Sequence, residues 1–276
     1  MSPASFVLPS AAGEWGIDLI TLRSYVDSEH ARIAPDERDS QIGELARSVD
    51  MFQADFGISI DSTAERITLV TGSGRVLDHD TALHAMVALW CECQVPEGTG
   101  CNVAVPITAS SVIEQIAASC GRQVRRTGTS RRALSSAALD PEIGFAGSRR
   151  GGYVYPHFLA AYDAMMSFGM LLRMLDRQST TLDAVVAGLP PFNLRQESVF
   201  CPFNRKGAVM RTMAALGEPG SVVEGVRIGT DDGWALVLPH ATEAVVYVHA
   251  EGATPESADA TLATYVSAVQ EAITNG

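Results

Sequence analysis

Apolar positions along the chain recur at two spacings. In Ser111 to Cys120, Val112, Ile113, Ile116 and Ala117 fall on one helical face, and the same reading predicts helices over Arg38 to Phe52 and Asp80 to Glu92. Tyr162 to Asp176 is a further helix, with Met165, Met166, Phe168, Gly169, Leu172 and Leu175 drawing an apolar stripe. Its methionines read as core filler rather than a cofactor box, because the unbranched thioether adapts to irregular gaps. Runs enriched in β-branched residues and bounded by turn residues predict strands at Ile17 to Leu22, at Phe56 to Ile60 continuing after a turn as Ile67 to Val70, at Asn102 to Pro106 and at Gln123 to Thr127. Strands alternating with helices imply mostly parallel sheets with helices on their faces.

The pattern changes after Gly188-Leu189-Pro190-Pro191-Phe192, where consecutive prolines stop helical structure. Beyond it, Val226-Arg227-Ile228, Trp234 to Leu238 and Ala244 to His249 alternate as strands, the first two joined by a hairpin turn at Thr230-Asp231-Asp232-Gly233. A last helix is predicted from Pro255 to Ile273, with Thr254 as its N-cap. This second region is a small α+β domain with an antiparallel sheet and helices on one face.

Composition narrows the picture. The 276 residues are 46% hydrophobic and 19% charged, enough apolar material for buried cores. Twenty Lys and Arg against 32 Asp and Glu give a formal charge of -12, which repels a phosphate backbone and argues against a nucleic-acid partner. Five cysteines (Cys91, Cys93, Cys101, Cys120 and Cys201) lack paired C-x-x-C units, so reduced, mostly buried thiols are expected. No window approaches the roughly 20 apolar residues of a membrane span, and the N-terminus has no signal-peptide pattern. A cytoplasmic location is the expectation.

Four landmarks then fall in one order. Ala54-Asp55-Phe56-Gly57-Ile58-Ser59-Ile60-Asp61-Ser62-Thr63-Ala64-Glu65-Arg66 stands where an A-D-x-G-I-x-x-D-G-D-x-D-R metal loop would, and Gly144 to Pro156 is similar to a G-E-x-S-G-G-x-x-x-P sugar loop. Tyr162-Asp163-Ala164 with Leu189-Pro190 matches the end of a third domain, and Asp232-Gly233-Trp234 through Leu238-Pro239-His240-Ala241-Thr242-Glu243-Ala244 a D-G-W…R-P-S-G-T-E-P phosphate loop. The collinear set resembles the α-D-phosphohexomutases, from the start of their second domain to the end of their fourth. It is most similar to the degenerate mutase-like half of actinobacterial proteins that fuse a sugar-1-phosphate nucleotidyltransferase to a phosphomannomutase-like region. The resemblance implies two mixed-sheet α/β/α domains, the first incomplete, over residues 1–77 and 78–190, and the small α+β domain over 191–276.

The resemblance also implies a phosphoserine, a Mg²⁺ site, a sugar loop and a phosphate clamp, and each departs from the pattern here. The serine belongs to an N-terminal domain within T-A-S-H-N-P, after which this chain is expected to begin. Thr108-Ala109-Ser110-Ser111 echoes only its first letters, and Ser110 or Ser111 is expected to cap a helix. In the metal loop Asp61 is retained, Thr63 replaces the second carboxylate and Glu65 the third; Mg²⁺ on Asp61 and Glu65 is the lesser reading beside a structural turn. In the sugar loop Arg149 and Arg150 follow Ser148 where the family has Glu and Ser, and guanidiniums, being donors only, suit anions. The phosphate loop keeps Thr242 and Glu243 and puts His240 in place of Ser, while Leu238 replaces the Arg. Two basic runs, Asn204-Arg205-Lys206-Gly207 and Arg122 through Arg132, read equally as cleft-lining or as surface charge.

The expected function is a phosphomannomutase- or phosphoglucomutase-like, sugar-phosphate-associated protein of carbohydrate or nucleotide-sugar metabolism, unable to act as a mutase alone. No catalytic residue and no firm cofactor are assigned. A nucleotidyltransferase or serine-bearing protein is the expected partner. Two alternatives stand beside it: an enzyme with changed chemistry on an anionic sugar, and a structural partner subunit.

Overall fold

A computed structural model describes residues 3–24, 34–93, 100–217 and 224–275. The chain divides into two compact units, one of Met1–Pro106, Ile113–Arg125 and Ser130–Leu189, the other of Ile107–Val112, Arg126–Thr129 and Pro190–Gly276.

The first unit opens with α1 (Ala4–Trp15) and α2 (Pro35–Phe52), then β1 (Phe56–Ile60) and β2 (Ile67–Thr71), an antiparallel pair with Ile58 opposite Leu69. α3 (His79–Glu92) follows. Next come β3 (Asn102–Pro106), α4 (Val112–Ser119), β4 (Val124–Thr127), α5 (Arg131–Ala137), β5 (Ile143–Gly147) and β6 (Tyr153–Val154), whose strands form a sheet of order β4-β3-β5-β6. The β3–β5 pairing is parallel and the β5–β6 pairing antiparallel, so the sheet is mixed. α6 (Ala164–Gln178) and α7 (Leu182–Ala187) close the unit.

α3 is apolar nearly all round, with buried residues at almost every position from Thr81 to Cys91, as expected of a helix enclosed by its unit. Trp90 stacks on Phe145 and meets Tyr155 at a tilt, and burying such rings contributes on the order of 2 kcal/mol each. Cys91, near the end of the same helix, is buried, and burial pushes its thiol up to about 12.

The second unit holds β7 (Leu194–Phe200), α8 (Phe203–Ala214), β8 (Val226–Thr230), β9 (Gly233–Pro239), β10 (Val245–Gly252) and α9 (Pro255–Asn275). Its sheet has the order β7-β10-β9-β8, antiparallel throughout. One core joins Val226, Ile228, Val237, Val246 and Val248 of the strands to Val209 and Met213 of α8 and Val266 and Val269 of α9. A second cluster joins Trp234, Leu236 and Leu238 to Ile107. Period-two alternation therefore supplies both faces, as a two-sided sheet requires. The Thr254 hydroxyl accepts from the N–H of Ser257, capping α9.

The structure departs from the expected elements at Ile17–Leu22, which is not a strand. Gly16 takes the left-handed conformation that ends α1, and the apolar run after it has no neighbouring strand to complete a ladder. All five cysteines are free thiols. No helix among the described residues is long and apolar enough to cross a membrane.

Candidate functional site

The loop between β1 and β2 is a self-contained turn. One oxygen of Asp61 accepts from the N–H of Glu65 at 2.8 Å and of Arg66 at 3.2 Å, and the other accepts from the Thr63 hydroxyl at 3.1 Å. Glu65 pairs with Arg131 of α5. Both carboxylates are thus committed to donors, and no group of three His, Cys, Asp or Glu suited to a metal occurs among the described residues. The donor set does not fit the three-carboxylate Mg²⁺ loop that the resemblance implies.

Arg66 stands out beside this turn. Its Nε is buried without a hydrogen-bond partner, and its guanidinium lies close enough to Tyr162 to act on the phenol electrostatically. Burial raises the Tyr162 phenol, and the Ser148 hydroxyl, Arg66 and Arg131 offset this only in part. An uncommitted guanidinium edge inside the fold is a place for an anion or a polar ligand atom.

The sugar-loop residues sit in the turn from β5 to β6. Gly151, at φ +78°, makes that turn; its carbonyl accepts from the N–H of Ile67, while Ser148 and Gly152 pair through N–H and C=O at 2.9 Å. The two arginines part company here. Arg149 forms a fork on Asp80 at 2.6 and 2.7 Å, both side chains mostly buried, and so braces the first turn of α3. The Arg150 N–H donates to the Ser148 hydroxyl, and its guanidinium has no partner among the described residues. Asp78 caps α3; burial alone would raise its carboxyl, but hydrogen bonds from Thr81 and Asp80 outweigh this and hold it below the usual value. Burial lowers the neighbouring His79, with Arg38, Arg149 and Arg150 acting in the same direction and Asp80 against.

In the second unit, the turn 240–244 joins β9 to β10. The His240 N–H donates to the Val245 carbonyl, and the Glu243 N–H donates to Nδ1 of His240 at 3.0 Å. His240 therefore holds the turn as an acceptor through Nδ1. Ala241, Thr242 and Ala244 make no N–H hydrogen bond among the described residues, and the Thr242 hydroxyl is likewise uncommitted. Lys206 of α8 donates to the carbonyls of His240 and Glu243.

Ser110 is fully buried and Ser111 lies beside it. Both hydroxyls and the Ser111 N–H donate to the buried Glu251 carboxylate, which also accepts from the Trp234 indole. Ser110 Oγ accepts from the N–H of Val112 and so begins α4 as a cap. Most of the Arg122–Arg132 run is also engaged. Arg122 binds the carbonyls of Cys91, Cys93 and Cys101, Arg125 pairs with Asp140, and Arg126 binds the carbonyls of Ala109 and Ser110.

Residues 80–192 match the family described as phosphoglucomutase/phosphomannomutase, alpha/beta/alpha domain III. A protein named probable phosphoglucosamine mutase from Methanopyrus kandleri is 29% identical over 260 residues, covering 93% of this chain and 57% of its own length. Along nearly its whole length the chain is similar to phosphohexomutases. The phosphohexomutase fold is equally plain in solved structures: a phosphoglucomutase/phosphomannomutase family protein from Burkholderia thailandensis superposes with a TM-score of 0.80 at 16% identity, over 98% of this chain and 58% of that one. The Aspergillus fumigatus N-acetylphosphoglucosamine mutase, in complex with GlcNAc-6P and magnesium, superposes with a TM-score of 0.56 at 16% identity, over 78% and 52%. The chain thus spans less than two thirds of the length of these phosphohexomutase relatives. Asp61, Glu65 and Arg149 are taken up by internal bonds.

Proposed function

We propose that this phosphohexomutase-like chain binds a sugar phosphate in carbohydrate or nucleotide-sugar metabolism, and that its 276 residues do not by themselves turn one over. The observation that carries the reading is the turn 240–244, where the N–H groups of Ala241, Thr242 and Ala244 and the Thr242 hydroxyl make no hydrogen bond among the described residues. Successive unpaired backbone N–H groups suit a tetrahedral anion. Separately, within the first unit, the buried Nε of Arg66 without a hydrogen-bond partner is a further candidate for an anion.

The absence of turnover rests on chemistry. Phosphoryl transfer needs a nucleophile and a charge-neutralising cation, and here Asp61 and Glu65 are spent on a turn and an ion pair, and Ser110 and Ser111 on Glu251. A partner would then supply the phosphoserine.

Melting curves with glucose 1-phosphate, mannose 1-phosphate and N-acetylglucosamine 6-phosphate test the binding. At ligand a hundredfold above Kd, stability rises by about 2.7 kcal/mol. A melting temperature unmoved by every sugar phosphate at millimolar concentration contradicts the reading.

A further inference from the structure

We propose that Lys206 is the positioning residue of the turn 240–244, a cation that never touches the ligand but aims the peptide groups that do. This rests on the reading of that turn as an anion site.

Lys206 lies in the first turn of α8, and its ammonium donates to two carbonyls of the turn, those of His240 and of Glu243, the latter at 2.5 Å. A trans peptide is planar, with its C=O and N–H pointing in opposite directions. The carbonyl of His240 shares a plane with the N–H of Ala241, and the carbonyl of Glu243 shares one with the N–H of Ala244. Drawing both carbonyls onto one ammonium therefore turns both N–H groups away from it. These two N–H groups are among the three in the turn without an acceptor among the described residues. The lysine thus helps to fix the orientation of the donors that remain free, together with the Val245 N–H, which donates to the Glu243 carbonyl at 2.8 Å.

The arrangement also has an electrostatic consequence. A cation on a carbonyl oxygen polarises the whole peptide group and strengthens its N–H as a donor. Positive charge is passed through two peptide planes to their far sides, within a chain of net charge -12. The ligand class that uses such donors is a phosphate monoester, which presents several acceptor oxygens at once.

Lys206 is itself held in place. Its ammonium sits 4.4 Å from the Phe203 ring centroid, a cation–π contact one helical turn back along α8. Two carbonyls and a ring face restrict its rotamers, as a positioning role requires. Leu238 stands where the family pattern carries an Arg, so the charge at this turn comes from beneath its backbone rather than from a side chain reaching over it.

The test uses Lys206→Met, which keeps the aliphatic stem, and Lys206→Arg, which keeps charge and donors, in the full 276-residue chain. Inorganic phosphate and glucose 1-phosphate are titrated while the amide resonances of Ala241, Thr242 and Ala244 are followed by NMR. The wild type is expected to shift these amides; Lys206→Met should weaken binding by about tenfold, and Lys206→Arg should restore most of it. In the unliganded Lys206→Met variant the Ala241 and Ala244 amides should also exchange faster, with the rest of the spectrum preserved. If the wild type shifts these amides and Lys206→Met binds as tightly, the role of Lys206 is overturned while the turn remains a site. If phosphate leaves the wild-type amides unmoved, the reading of the turn falls, and the role of Lys206 with it.

Discussion

Glu251 is a buried carboxylate that accepts four hydrogen bonds, from two hydroxyls, a backbone N–H and an indole. Burial alone would raise its pKa, and the bonds from Ser110, Ser111 and Trp234 outweigh burial, so it lies below the ordinary glutamate value of 4.5. A depressed folded-state pKa contributes stability that is complete above the unfolded value and is lost as pH falls through the folded one. Chemical denaturation of the wild type should therefore show stability falling below about pH 4.5, and Glu251→Gln should flatten that part of the profile. At neutral pH Glu251→Ala should cost on the order of 3 kcal/mol, because it strands several buried donors. A variant as stable as the wild type would refute the role given to this residue. Arg149 and Arg150 divide differently. Arg149→Ala should lower stability by about 2 kcal/mol through loss of the Asp80 fork, and Arg150→Ala should leave stability within about 0.5 kcal/mol. Equal destabilisation by the two would contradict this division.

At the scale of elements, the loop from β5 to β6 depends on one backbone conformation. Gly151 has φ +78°, and a Cβ there would lie 2.1 Å from the Ile67 carbonyl oxygen. Gly151→Ala should therefore destabilise by at least 2 kcal/mol and displace Ser148 and Arg150, read as a lower melting temperature with weaker sugar-phosphate protection. Retention of both would mean the loop is more tolerant than its geometry implies. The long periodic elements were legible in the sequence: α3, β3, β9 and α9 lie within one or two residues of where their apolar spacing puts them. Others left little trace. α1 exposes Phe6, Val7 and Trp15 and contains Pro9, so its pattern lacks a clean face. β7 reads as polar because its central residues are exposed at a sheet edge. Ile17–Leu22 shows the converse, since apolar residues without a pairing strand do not make one.

Over the whole molecule, the likeness to phosphohexomutases was readable from four altered motifs in one order, each carried on scaffold residues. What those motifs do was less readable. Neighbouring arginines look alike in sequence, and only Asp80, 69 positions away, separates Arg149 from Arg150. Lys206 bonds to backbone carbonyls 34 and 37 positions on, and a carbonyl leaves no mark on a residue pattern. Charge at this scale opposes polyanions: at -12 the chain should pass unretained through a heparin column at about 0.1 M salt, where the Debye length is about 10 Å. Retention would expose a basic face that the composition conceals.

The most direct test of the account is a ³¹P NMR time course of the purified chain with glucose 1-phosphate, a catalytic amount of glucose 1,6-bisphosphate and Mg²⁺. The account predicts a broadened or shifted 1-phosphate resonance that returns to its free position with excess ligand, and no 6-phosphate resonance at any time. Steady growth of a 6-phosphate signal in proportion to protein concentration would contradict it.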